Sequence, residues 1–302
     1  PAQTSNAAMW IWSDKNVYQP GEPLTLRGTL KANGDTSSYT IVAYRQNNQT
    51  GQKFFLPRGT EEATDIFGNT QTVGFRAVEL PSLNKTVLVG ENGLVVNSTL
   101  PIPAEFGMHT LVLQLRDETG NRVIKSAYWK LGVVRERVRV SGNISQSALW
   151  TSDRAYELTG IVSINNNATL TIEPGTFVIG QPGSQPPSAL LVTTAGRLIA
   201  NGTRSRPIIM TSSRPIGQRA RGDWGGLLML GRAPINDPGG SLPIEGLPDA
   251  PETRFGGADN DHNCGLLKYV RVEFAGAQLR PNEETNSFTW GGCGKGTFSE
   301  YL

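Results

Sequence analysis

Cysteine and histidine are scarce in these 302 residues, with two of each, and no apolar run approaches the length of about 20 residues that spans a bilayer as a helix. The two histidines, His109 and His262, stand at no metal-ligand spacing from Cys264 or Cys293, which excludes a Cys/His zinc module. Neither sign of charge gathers into a long run, and 28 basic against 26 acidic residues leave a net charge of +2. Nucleic acid and acidic polymers are therefore not expected partners. The densest basic stretch, Arg204 to Arg221, holds five arginines but lacks interleaved aromatics and reads as a solvated loop.

What is present is glycine (35), proline (19) and short Val/Ile/Leu/Thr runs between turn-forming clusters, the composition of an all-β chain. The length suits two domains and needs neither metals nor many disulfides to build a core. The polar opening Pro1 to Ala8 suits a processed N-terminus, so export is expected. Six Asn-x-Ser/Thr sequons begin at Asn48, Asn84, Asn97, Asn143, Asn167 and Asn201, glycan acceptors only in a host with that machinery. Cys264 and Cys293, both beside glycine, read as a disulfide, with two buried thiols as the alternative.

Two β patterns divide the chain. Residues 1–134 carry seven short segments at sandwich-like spacing: Trp10 to Trp12, Leu24 to Leu30, Tyr39 to Tyr44, Phe75 to Leu80, Leu94 to Leu100, His109 to Arg116 and Val123 to Val133. Several alternate apolar with polar residues, as a strand with one wet face does. This predicts an antiparallel β-sandwich. In Tyr18-Gln19-Pro20-Gly21-Glu22, proline presets φ and glycine supplies the positive φ of a type II turn. The segment Asp14 to Leu24, together with Phe106 to Leu111 and the connection Asp117 to Asn121, resembles the macroglobulin-type and related Ig-like domains of extracellular proteins.

Residues 135–153, polar and without a clear apolar period, are expected to be a linker or the N-terminal cap of a solenoid. Beyond them, Leu170 to Ile172, Leu190 to Val192, Ile208 to Met210 and Leu227 to Met229 recur at intervals of 19, 18 and 19 residues. No helical pattern separates them and no leucine-rich-repeat ladder is present, so stacked coils of a parallel β-helix over 154–302 fit best. The long Gly/Pro/Asp-rich insertion Asn236 to Asn263 is the expected place for a binding site. Two further rungs follow it, at Leu266 to Phe274 and Phe288 to Trp290, about one coil apart.

Five ordered motifs carry a second resemblance: Leu170-Thr171-Ile172-Glu173-Pro174-Gly175-Thr176, Leu198-Ile199-Ala200-Asn201-Gly202-Thr203, Arg206 to Ser212, Trp224-Gly225-Gly226-Leu227, and Leu267 to Gly276. The half of the chain that holds them is similar to a family of bacterial secreted or outer-surface proteins with a right-handed parallel β-helix. The resemblance implies fold and a cell-surface location more than an activity. It also implies that Cys264 and Cys293 fall on neighbouring coils, where side chains stack within disulfide reach. In that family the coils continue, whereas this chain stops at Ser299-Glu300-Tyr301-Leu302, so a longer protein or a covering partner is expected.

Candidate sites are few. Asp259 and Asp261, with Asn260 and Asn263, are hard oxygen donors of the kind calcium accepts, but lack EF-hand spacing; side chains bonding their own loop are the plainer reading. No other cofactor is expected. His262, without a second histidine or a nucleophile beside it, reads as a loop or rim residue. Trp224 and Trp290, each before a pair of glycines, would stack on sugar rings if exposed and fill a coil corner if not. No paired carboxylates stand out in sequence, although stacking could bring Asp223 and Glu273 together. The expected function is therefore non-enzymatic: an extracellular structural or adhesion protein whose partners are other surface proteins, copies of itself or glycan. A β-helix polysaccharide lyase or hydrolase, and a subunit of an extracellular filament, are the alternatives.

Overall fold

A computed structural model of the chain describes residues 8–31, 38–55, 59–64, 70–75, 86–88, 94–102, 104–117, 122–280 and 283–302. Residues 1–7 of the opening, 76–80 of one expected strand, the sequon at Asn84 and the hairpin connection 118–121 lie outside them. The chain divides into two compact units, Pro1–Val133 and Val134–Leu302.

In the first unit, Ala8–Ser13, Pro23–Lys31 and Leu94–Pro101 form one antiparallel sheet with Pro23–Lys31 in the middle. A second sheet runs in the order Val17–Tyr18, Val123–Val133, Gly107–Arg116, Ser38–Asn47, Lys53–Phe55, with Thr86–Leu88 also beside Ser38–Asn47. All its pairs are antiparallel except Val17–Tyr18, which runs parallel to the end of Val123–Val133. Ala8–Ser13 packs against Gly107–Arg116 and Val123–Val133, so the sheets face one another as a sandwich. Met9, Ile11, Tyr18, Met108, Leu111, Leu113 and Leu131 are buried. The turn before Pro23 has its expected chemistry: Gly21 takes φ +82° and the Glu22 amide donates to Gln19 O at 3.1 Å.

A charged side chain is buried in this unit. Arg45 Nη1 donates to His109 Nδ1 at 2.6 Å, and His109 Nε2 lies 2.7 Å from Glu105 O. A guanidinium can only donate, so Nδ1 must be bare and the proton must sit on Nε2, where it donates to the carbonyl. Burial first, and then the Arg45 charge, push the His109 pKa down from 6.5 to about 4. Because the folded state favours the neutral ring, the stabilisation is complete above pH 6.5 and is lost as pH falls from 6.5 through about 4. A His109→Gln variant, which keeps a donor and an acceptor but does not titrate, is expected to flatten the fall in melting temperature across that window. An unchanged pH profile would remove His109 as its source.

The second unit is a parallel β-helix of five coils, each visiting three faces. Face A stacks the front of Glu136–Ile144, the front of Arg154–Ile164, Phe177–Gly180, Ile208–Ser212 and Val270–Val272. Face B stacks the back of the first two strands, then Ala189–Val192, Gly226–Leu230 and Phe288–Gly291. Face C stacks Ala148–Trp150, Ala168–Ile172, Gly196–Asn201, Gly265–Lys268 and Phe298–Glu300. Every one of these pairings is parallel. Inward columns such as Val162–Leu190–Leu227–Phe288 and Ile164–Val192–Met229 fill the interior.

Three expectations are corrected here. Residues 135–153 supply the first coil: Val138, Val140 and Ile144 pack on the core, while the intervening arginines and glutamate point outward and mask the alternation. The 18–19-residue interval is not the coil, because its four segments lie on faces C, B, A and B in turn. Stacked positions are 22 residues apart at Ala155 and Phe177 but 62 apart at Ile209 and Arg271. For the same reason the last two rungs are less than a coil apart, since Val270–Val272 and Phe288–Gly291 occupy faces A and B of the fifth coil.

Candidate functional site

The insertion after Gly226–Leu230 divides into two parts with different work. Its middle is structural: Ile244, Leu247 and Phe255 pack on Ala189, Leu191, Leu228 and Leu230, closing the outer side of face B. The Asp249 carboxylate holds Arg254 at 2.6 Å. The returning end, 259–263, faces a groove. This groove, about 290 Å³, lies at the corner between faces B and C and is completed by residues 167–169 and 194–197, where two face C strands begin, and by Arg232.

Hydrogen bonds fix the returning end. The Asp259 amide donates to Arg232 O at 2.9 Å, His262 N to Asp259 O at 3.1 Å, and Asp261 N to Asp259 Oδ1 at 3.2 Å. Arg232 Nη1 donates to Thr194 O at 3.1 Å, and Nη2 lies 3.4 Å from Asp259 Oδ2. Immediately beyond, Cys264 is joined to Cys293 on the next coil with Cα atoms 5.8 Å apart, the pairing expected from stacked coils. Gly231 makes room beneath: a Cβ there would stand 2.7 Å from His262 Cδ2.

His262 is not a rim residue, being only 6% exposed. Neither ring nitrogen has a hydrogen-bond partner, Asp259 Oδ2 standing 3.6 Å from Nδ1, and Asn263 Oδ1 is buried and unpartnered as well. Burial, followed by the Arg232 charge, holds the ring pKa below its ordinary value against the opposing pull of Asp259, so His262 is neutral at pH 7. Asp259 and Asp261 thus lie together on one groove, but Asp259 is engaged with Arg232 and its own loop. Among the described residues no three His, Cys, Asp or Glu side chains gather as metal ligands.

The two tryptophans are placed differently from one another. Trp224 is fully buried, packed over Gly180, and its Nε1–H donates to Glu273 O at 2.8 Å. This corrects the expectation of a glycan contact at Trp224, since neither ring face meets solvent. Trp290 is 42% exposed, pairs in register with Met229 and stacks on Phe288 at 5.4 Å. Its exposure is that of the fifth coil rather than of a lateral face.

The suspected carboxylate pair is held by cations. Asp223 accepts from Ser212 Oγ, the Ala220 amide and Arg214 Nε; Glu273 pairs with Arg271 at 2.7 Å. Arg219 interacts with both carboxylates. A second groove, about 390 Å³, lies beside Arg139, Glu157 and Gln181, and Glu157 there faces Arg137 at 3.6 Å. Sequence reasoning missed Arg197 and Arg232. The outward position of Arg197 is readable from the alternation of Gly196–Asn201, but its meeting with 259–263 depends on an inter-coil register interrupted by the insertion.

Residues 142–302, more than half of the chain, match the family model of a pectate-lyase like beta helix domain. No curated protein sequence matches the chain. Among solved structures, a CARDB domain from Pyrococcus furiosus in complex with di-metal ions is 12% identical, covering 44% of this chain and 90% of its own, with a TM-score of 0.27. A cycloisomaltooligosaccharide glucanotransferase from Paenibacillus sp. is 15% identical over 46% of this chain and 16% of its own (TM-score 0.24). A conjugative transposon lipoprotein from Bacteroides eggerthii is 15% identical over 41% and 95% (TM-score 0.20).

Proposed function

We propose, because this chain belongs to the pectate-lyase-like β-helix family, that it works outside the cell as a non-catalytic surface protein whose solenoid is a stiff support for contact with glycan. The observation that carries the reading is the use made of the solenoid's acids. Glu136, Asp153, Glu157, Asp223, Asp249, Asp259, Glu273 and Glu300 each face an arginine or lysine within 4 Å. Carboxylates so engaged brace neighbouring segments, whereas glycoside hydrolysis needs two carboxyl groups placed across the scissile bond. The disulfide supports an oxidising compartment. Among the described residues, no helix is long and apolar enough to cross a membrane.

A second reading, a β-helix enzyme acting on polysaccharide, is favoured by the corner groove, which holds Asp259 and Asp261 with Arg197 and Arg232. The two readings separate in one experiment. The full chain is incubated with neutral, acidic and amino polysaccharides while reducing ends and unsaturated products are followed, and retardation is measured in gels containing the same polymers. Retardation without product is expected. Product formed by the wild type and abolished in Asp259→Asn would establish the enzyme and end the non-catalytic reading.

A further inference from the structure

We infer that the corner groove is a binding site for uncharged oligosaccharide, an assignment that rests on the glycan-contacting reading and specifies its ligand. The argument is one of balance. Arg197 and Arg232 bring two cations to the groove, Asp259 and Asp261 two anions, and the four side chains lie on coils that stack about 4.8 Å apart per step. A ligand of either net charge would meet a repelling pair for each attracting one. A polyol suits both, since each hydroxyl donates to a carboxylate and accepts from a guanidinium.

A second observation points to a ligand independently of the charges. His262 is more than nine-tenths buried along this groove; its Nδ1 faces Asp259 Oδ2 at 3.6 Å, while Nε2 and Asn263 Oδ1 have no hydrogen-bond partner. Buried polar atoms are ordinarily hydrogen-bonded, and exceptions need a physical account. With Nδ1 turned to Asp259, the Nε2 of a neutral imidazole is left to accept a hydrogen bond, a function that a sugar hydroxyl matches. The groove reaches three successive coils, so a short stretch of linked sugar rings running along the solenoid axis would pass Arg197 on one coil and the Arg232, Asp259 and Asp261 group on the next.

The test uses the full chain and calorimetric titration with cellohexaose, mannohexaose, maltohexaose, hexagalacturonate and the glucosamine hexamer. At least one neutral hexasaccharide is expected to bind more tightly than either charged one. Arg197→Ala and Asp261→Ala, both at exposed side chains, are each expected to weaken it about tenfold or more. Arg139→Ala, in the other groove, should leave it unchanged. Asp261→Lys should turn the preference towards hexagalacturonate. Failure of every neutral hexasaccharide to bind, or tighter binding of a charged one, overturns the inference. Neutral binding that ignores both alanine variants also overturns it, while leaving the glycan-contacting reading intact. Hydrolysis or elimination of a bound hexasaccharide by the wild type would instead overturn the non-catalytic reading and leave the ligand assignment standing.

Discussion

Replacing Trp224 by alanine is expected to lower the stability of the β-helix by about 3–5 kcal/mol, the range for removing a buried tryptophan. The indole is fully buried and belongs to the interior cluster of all five coils. Its neighbour Gly180 lies so close that a Cβ there would come within 2.5 Å of the ring, so the surrounding chain is already shaped around the side chain and has little room to collapse into the space left behind. The hydrogen bond to Glu273 O adds a smaller loss, because that carbonyl would need another donor. Comparing Trp224→Phe with Trp224→Ala in urea unfolding separates the two effects: phenylalanine should recover most of the loss if packing dominates. An alanine variant within 1 kcal/mol of the wild type would mean that the corner is not the packed centre described here.

The second large effect is the loss of the cross-link. Cys264 and Cys293 are 29 residues apart in sequence, and on the chain-entropy account closing such a loop stabilises by about 3–4 kcal/mol. In a solenoid the interactions are between neighbours, so the effect should be local. In a Cys264→Ala/Cys293→Ala variant, limited proteolysis is expected to cut first in the fifth coil, 270–302, while the first three coils resist. Uniform loosening of all five coils, or no change in the cutting order, would contradict this. The variant also loosens the end of 259–263, whose last anchor is Cys264, so weaker saccharide binding should accompany it.

Much of the architecture is readable in the sequence because it depends on local alternation. Leu24 to Leu30, Leu94 to Leu100 and Val123 to Val133 are strands in the structure, and Pro20-Gly21 forms its turn. The stacking of Cys264 on Cys293 follows from the β-helix itself. The coil count is harder to read, because a parallel β-helix has no fixed repeat: its turns vary freely while its faces remain in register. The groove was half legible. Asp259 and Asp261 draw attention as a local cluster, whereas Arg197 and Arg232 join them only through pairing between distant segments, and the burial of His262 requires Gly231 and the overhang of the insertion to be seen together. Trp224 shows the limit of motif reading, since a tryptophan before two glycines has the same sequence signature whether it faces solvent or fills the core.

The insertion between faces B and C has a consequence for how such a protein can diversify. Gly226–Leu230 and Gly265–Lys268 keep their parallel partners although more than thirty residues separate them. Length added at that corner is therefore neutral to the ladder, and selection can rewrite the segment without renegotiating the stack. Because the ends of the same segment form one wall of the groove, changes confined to a single loop can reshape that wall over an unaltered chassis.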